Sequence, residues 1–152
     1  MEPLPRIAVS VQQPWAWLIV NGFKDVENRS WMLPDRYVGA RVLIHASARP
    51  GFSLAGARGI LEEIHALYGL PGGLRFPVEG RECGGIVGVA DFAYCTRDHV
   101  SPWCVPGHWY WRIASAQPLP FMPCKGRLGF FAVDYAPLPA GQGYLPGGRT
   151  PL

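Results

Sequence analysis

From Lys24 to Trp31 the chain reads Lys-Asp-Val-Glu-Asn-Arg-Ser-Trp, its densest run of polar and charged groups. If this run is a strand, alternation puts Glu27, Arg29 and Trp31 on one face, with Lys24 at the start. That face suits the wall of a cleft: a carboxylate to take a proton, cations for negative charge, and an indole for stacking. The same pattern describes a solvated edge strand whose Glu–Arg pair is worth under ~1 kcal/mol. Pattern alone favours neither.

Other chemistry-bearing groups are spread along the chain. Gln13 and Trp15 surround the start of an expected helix, where free N–H groups and the helix dipole attract anions. Trp17 reads as core, whereas Trp15 fits core or cleft. His45, Ser47 and Arg49 follow an apolar run, Val42-Leu43-Ile44. A histidine there can serve as acid, base or ligand contact, although a lone one is more often structural. Lys125 and Arg127 flank Gly126, a loop that fits a phosphate or an ordinary turn. Cys95, His99, Cys104 and His108 read C-x3-H-x4-C-x3-H. Four such ligands can close a tetrahedral zinc site. The spacing is unusual, however, and free cysteine is common in cores. The expectation is no metal and no cofactor, with these four residues as the outside candidates.

The elements that must position these groups are short. Gln13 to Gly22 carries a first-turn proline and an Asn-Gly end, the punctuation of a buried helix. A second helix is predicted from Ser53, its apolar face being Leu54, Ala57, Leu61, Ile64 and Tyr68. Gly56 and Gly59 weaken its first half. Arg6 to Val11, Lys24 to Trp31, Ala40 to His45, Gly85 to Tyr94, Trp109 to Ile113 and Gly129 to Asp134 read as strands between Gly/Pro loops. Gly88, inside the fourth, signals a bulge or a close backbone approach. Six strands and two main helices without βαβ alternation imply an α+β fold around a small barrel. Residues 1–135 are expected to form this domain, and residues 136–152, dense in Pro and Gly, an extended tail.

The chain's 152 residues suit one domain. It is 49% apolar, 12% aromatic and 16% charged, which excludes intrinsic disorder for most of its length. No apolar run approaches the ~20 residues of a membrane helix. Met1-Glu2-Pro3-Leu4-Pro5-Arg6 lacks the features of a signal peptide, so the expected location is cytoplasmic. The net charge is +3, and twelve of the fourteen basic residues are Arg. Arginine's planar fork suits phosphates and bases, yet genomic base composition gives the same bias.

Together the blocks are specific. Val9-Ser10-Val11-Gln12-Gln13-Pro14-Trp15-Ala16-Trp17 and Asn21-Gly22-Phe23-Lys24-Asp25-Val26-Glu27-Asn28-Arg29-Ser30-Trp31 strongly resemble the opening of the ASCH (activating-signal-cointegrator homology) domain. Val42-Leu43-Ile44-His45-Ala46-Ser47, Gly84-Gly85-Ile86-Val87-Gly88-Val89, Ser101-Pro102-Trp103 and Pro123-Cys124-Lys125-Gly126 are similar to its later blocks, in the same order. The resemblance spans roughly residues 7 to 134. It implies a PUA-like β-barrel with a helix after the first strand and a cleft between them. It also implies nucleic-acid binding or, as in some members, hydrolysis of RNA or of acetylated cytidine. Carried over by position, the cleft candidates are Gln13, Trp15, Lys24, Glu27, Arg29, Ser47 and Lys125, with His45 beside them. Members often carry Arg before Q-P-W, where this chain has Gln12. The acetylcytidine-hydrolysing members use a Lys–Thr–Glu set; Lys24 matches their lysine, but Glu27 occupies the threonine position.

The expected function is therefore binding of RNA or single-stranded nucleic acid. Lys24, Arg29 and Lys125 would neutralise phosphates, helped by Arg36, Arg49 and Arg127, while Trp15 or Trp31 stacks a base. The alternative is a small hydrolase of RNA or a modified nucleoside. Glu27 would then be its general base, with Lys24 or Lys125 stabilising the oxyanion. A third reading docks a protein partner on the tail.

Overall fold

The computed structural model describes residues 4–49, 62–63, 65–66, 69, 82–137 and 144–146. Strand β1 (Ile7–Val11) leads into helix α1 (Trp15–Val20), then β2 (Val26–Arg29) and a 3-10 turn, Asp35–Tyr37. After β3 (Arg41–Ala46) come β4 (Gly85–Thr96), β5 (Trp109–Pro123) and β6 (Phe130–Ala132). Six strands form one mixed sheet in the order β2-β5-β4-β3-β1-β6. Only β1 and β3 run parallel; the other neighbours are antiparallel.

The sheet curls into a half-barrel. Its two longest strands, β4 and β5, shift register between Ile86 and Gly88, between Asp91 and Phe92, and between Phe92 and Tyr94. Such irregularities bend a strand and increase its twist. Gly88 answers its expected role. A Cβ there would come within 2.5 Å of both the Gln117 carbonyl oxygen and Val20 Cγ1, so α1 can approach the sheet only over a glycine.

Alternation divides the core. Val9 and Val11 of β1 and Val42, Ile44 and Ala46 of β3 pack with Ala16, Ile19 and Val20 of α1 around Phe92 and Trp111. Ala8 and Leu43 belong to a second cluster with Ile86, Met122 and Phe131. β3 is therefore buried on both faces, and His45 is only 1% exposed.

α1 ends as its Asn-Gly signal requires. Gly22 takes φ +81°, the Phe23 N–H reaches the Leu18 carbonyl at 2.9 Å, and the Gly22 N–H reaches Ile19 at 3.0 Å. This is a Schellman closure, with Phe23 packed on the cluster that contains Leu18. It reverses the chain so that Lys24, the next residue, enters the fold.

Among the described residues α1 is the one main helix; the predicted second helix lies mostly outside them, although Glu62, Glu63, His65 and Ala66 are helical. The fifth strand continues ten residues past its expected end, Ile113, to Pro123. In the tail, β7 (Tyr135–Pro137) pairs antiparallel with β8 (Tyr144–Pro146). Among the described residues no helix is long and apolar enough to cross a membrane.

Candidate functional site

The turn after α1 and the pairing of β2 with β5 bring Lys24, Glu27 and Arg29 to one cavity of about 530 Å³. Trp15, Trp103 and Arg127 complete its walls, with Ser10 and Gln12 from the end of β1. Glu27 is 6% exposed and Lys24 4%. The two Glu27 oxygens are held separately. Oε1 accepts the Asn28 N–H at 3.0 Å and lies 4.0 Å from Lys24 Nζ; Oε2 faces Arg29 Nη2 at 3.4 Å.

Each cation has a second hold. Lys24 Nζ donates to the Val26 carbonyl and lies 5.8 Å from the centroid of the Trp15 ring. Arg29 Nη2 donates to the Ser10 carbonyl, and its guanidinium stands 5.6 Å from the Trp111 ring. Burial pushes the Lys24 ammonium below the usual lysine range, partly opposed by Glu27 and Asp25. Buried acid, buried lysine and partly buried arginine thus form one coupled group.

A loop from the far side of the sequence walls the cavity. Asn28 Nδ2 donates to the Trp103 carbonyl at 3.0 Å, and Asn28 Oδ1 accepts the Val105 N–H at 2.9 Å. Below it, Asp25 accepts from the Ser101 hydroxyl and pairs with Arg112 Nη1 at 2.8 Å. Asp25 and Asn28 fix this wall from the positions directly after Lys24 and Glu27.

A second cavity, of about 700 Å³, adjoins the first; the two share Ser10, Ser47, Arg127 and Leu128. Lys125 borders this second cavity. His45 forms part of its floor but is fully engaged. Nε2 faces the Cys124 carbonyl at 2.6 Å and so carries the proton, leaving Nδ1 to accept from Ser10 Oγ at 2.9 Å. Burial lowers the His45 pKa from the ordinary histidine value, which keeps the ring neutral.

The cavities gather Trp15, Lys24, Glu27, Arg29, His45, Ser47 and Lys125 of the expected residues. Others lie elsewhere. Gln13 is buried, accepts the Trp17 N–H at 2.9 Å and donates to the Glu82 carbonyl at 3.1 Å. It thereby satisfies the helix start that the sequence offered to an anion. Trp31 packs edge-on to Trp111, with ring centroids 4.7 Å apart, in the core. Arg36 covers the Tyr37 ring, and Arg49 is exposed away from both cavities.

The zinc spacing does not close: among the described residues no three His, Cys, Asp or Glu side chains gather to hold a metal. Cys95 instead accepts the Leu33 N–H at 3.5 Å, Cys104 is buried, and His108 Nδ1 faces the Pro106 carbonyl at 3.2 Å. Sequence reasoning missed Ser10, Asn28 and Leu128. It noted Gln12 only as a departure from the family pattern, and that residue borders the cavity.

This arrangement offers a carboxylate acceptor, cationic donors and an indole wall in a space that fits a small organic group. No curated protein matches the chain. A sequence model of the ASCH domain matches residues 9–104, from β1 to the loop that Asn28 clamps. The Lys125 loop falls beyond the match, but Trp15, Lys24, Glu27 and Arg29 all fall within it. Because the matched segment covers most of the chain and carries the cavity's charged wall, the protein belongs to the ASCH domain family.

Proposed function

We propose that this protein binds RNA or single-stranded nucleic acid, seating one unpaired nucleobase in the cavity between α1 and β2. Residues 1–135 carry this function in our reading. The observation that supports it best is the cavity beside Glu27. Its volume, about 530 Å³, lies within the usual range for small-molecule sites. Glu27 is held as an acceptor for the N–H groups of a base edge, and Trp15 supplies an apolar wall for its face. Lys24 is committed to Val26 and Glu27, so phosphate neutralisation falls to Lys125 and Arg127, which are exposed.

A second reading has one observation in its favour: a buried lysine with a lowered pKa beside a buried carboxylate in a cleft, a common feature of catalytic sites. In that reading Glu27 takes a proton from the attacking water, and Lys24 steadies the oxyanion of an acetylated cytidine or of RNA. Lys125, across the boundary with the second cavity, serves less readily as the oxyanion group.

The test is to incubate the purified chain with labelled single-stranded RNA and, separately, with acetylcytidine. Binding and product are followed beside Glu27→Gln and Lys24→Ala. The binding reading expects retention of RNA with no product from either compound. Product from wild type that vanishes in Glu27→Gln would establish the hydrolase, and absence of both binding and product would remove both readings.

A further inference from the structure

We propose that Leu128 is an unstacking wedge, which separates the base seated beside Glu27 from the next base of the same strand. The inference rests on the nucleic-acid reading above and adds a residue to it. Leu128 is 99% exposed, far beyond the other exposed large hydrophobic side chains among the described residues, of which Met32 at 54% is the next. A single leucine in water is ordinary. This one borders both cavities, on the ridge where they meet. It buries nothing in the fold, so packing gives no reason for an apolar residue there.

The loop that presents it is tied down. On one side, Gly126 lies so close to His45 and Ser10 that a Cβ would come to 2.6 Å from the imidazole and 3.0 Å from the hydroxyl. On the other, Gly129 takes φ +66° and leads into β6, which pairs with β1. Leu128 therefore stands at the crest of a short, anchored loop.

Charge orders what lies on either side. The second cavity has Lys125 and Arg127 in its lining and no Asp or Glu among the described residues. Neither cation takes part in an ion pair with a described residue. The first cavity shares Arg127 and adds a carboxylate, Glu27, held against Lys24 and Arg29. A base edge with N–H donors finds an acceptor only in the first, while a phosphodiester meets no carboxylate among the described residues of the second. A strand that spans both passes the shared rim, which Leu128 borders. Apolar side chains placed at a base step unstack it, and the ligand class this selects is an unpaired nucleotide within a strand.

The experiment uses the full chain and short single-stranded RNAs that carry 2-aminopurine at one position at a time. The fluorescence of 2-aminopurine rises when it leaves the stack. Wild type is expected to raise it on saturation. Leu128→Ala should lose most of the rise at saturation while keeping the wild-type salt slope, since it removes no phosphate contact. Arg127→Ala should do the reverse: it weakens binding, lowers the salt slope by ~0.7 for one lost phosphate contact, and keeps the rise at saturation. A rise that persists in Leu128→Ala, or wild type that binds the RNA with no rise at any position, would overturn the wedge while leaving the binding reading intact. RNA that fails to bind wild type would overturn both.

Discussion

Glu27 concentrates the electrostatics of the site, because its two oxygens divide between a lysine, an arginine and a backbone N–H. Glu27→Gln keeps the shape and removes the charge, leaving Lys24 buried without its nearest opposite charge. We expect a stability loss of roughly 1–3 kcal/mol in urea titration. The Lys24 pKa is lowered, so the cost of burying its ammonium is full below the folded pKa and is relieved as pH rises through it towards the ordinary lysine value. His45 acts in the same direction, through a group that titrates at lower pH. Its folded pKa lies below the ordinary histidine value of 6.5, so the neutral ring stabilises the fold fully above that value. The stability is lost as pH falls through the folded pKa. Urea midpoints measured at descending pH should therefore decline in wild type and decline less in His45→Gln. At this scale the sequence was legible in kind but not in depth. Alternation correctly placed Glu27 and Arg29 together. It failed for Trp31, because β2 ends at Arg29 and the chain then turns into the core. Asn28 was invisible as a site residue, because its partners Trp103 and Val105 lie more than seventy residues away. Asn28→Ala should lose both bonds, loosen the cavity wall and weaken RNA binding more than it lowers the thermal midpoint.

The elements explain why the cavity has its form. α1 reaches the sheet over Gly88, and its Schellman closure aims Lys24 inward. Gly88→Ala would push a methyl against the Gln117 carbonyl and Val20, with rigid backbone on one side. We expect a destabilisation of about 1–3 kcal/mol in thermal or urea unfolding, with the sheet displaced from α1. Most strands were readable from β-rich runs between Gly/Pro loops. β5 was readable only to Ile113, because Pro118 and Pro120 follow and ordinarily argue against a strand. The structure accommodates them because β2 pairs only with Trp109 to Arg112. Beyond that point one edge of β5 has no sheet partner among the described residues, and a proline whose nitrogen faces that edge costs no ladder bond there. Loop closure was likewise hidden: nothing in Pro123-Cys124-Lys125-Gly126 announces that Gly126 must sit against His45.

At the scale of the whole molecule, a curled mixed sheet packs against the short helix α1, and the two cavities meet along the ends of β1 and β3 and the loop before β6. The family was legible because most of its blocks lie on the elements that line the two cavities. The net charge of +3 is too small to draw nucleic acid from a distance, so binding must depend on a few local contacts. Lys125 and Arg127 offer about two, which predicts a salt slope near −1.4 for a single strand. The most direct test is the affinity of labelled single-stranded RNA, read by fluorescence anisotropy across a range of salt concentrations, for wild type and the Lys125→Ala/Arg127→Ala double variant. The account predicts modest binding that weakens with salt at about that slope, and a double variant that binds weakly with almost no salt dependence. RNA binding that is indifferent to salt, or a double variant that matches wild type in affinity and slope, would contradict it.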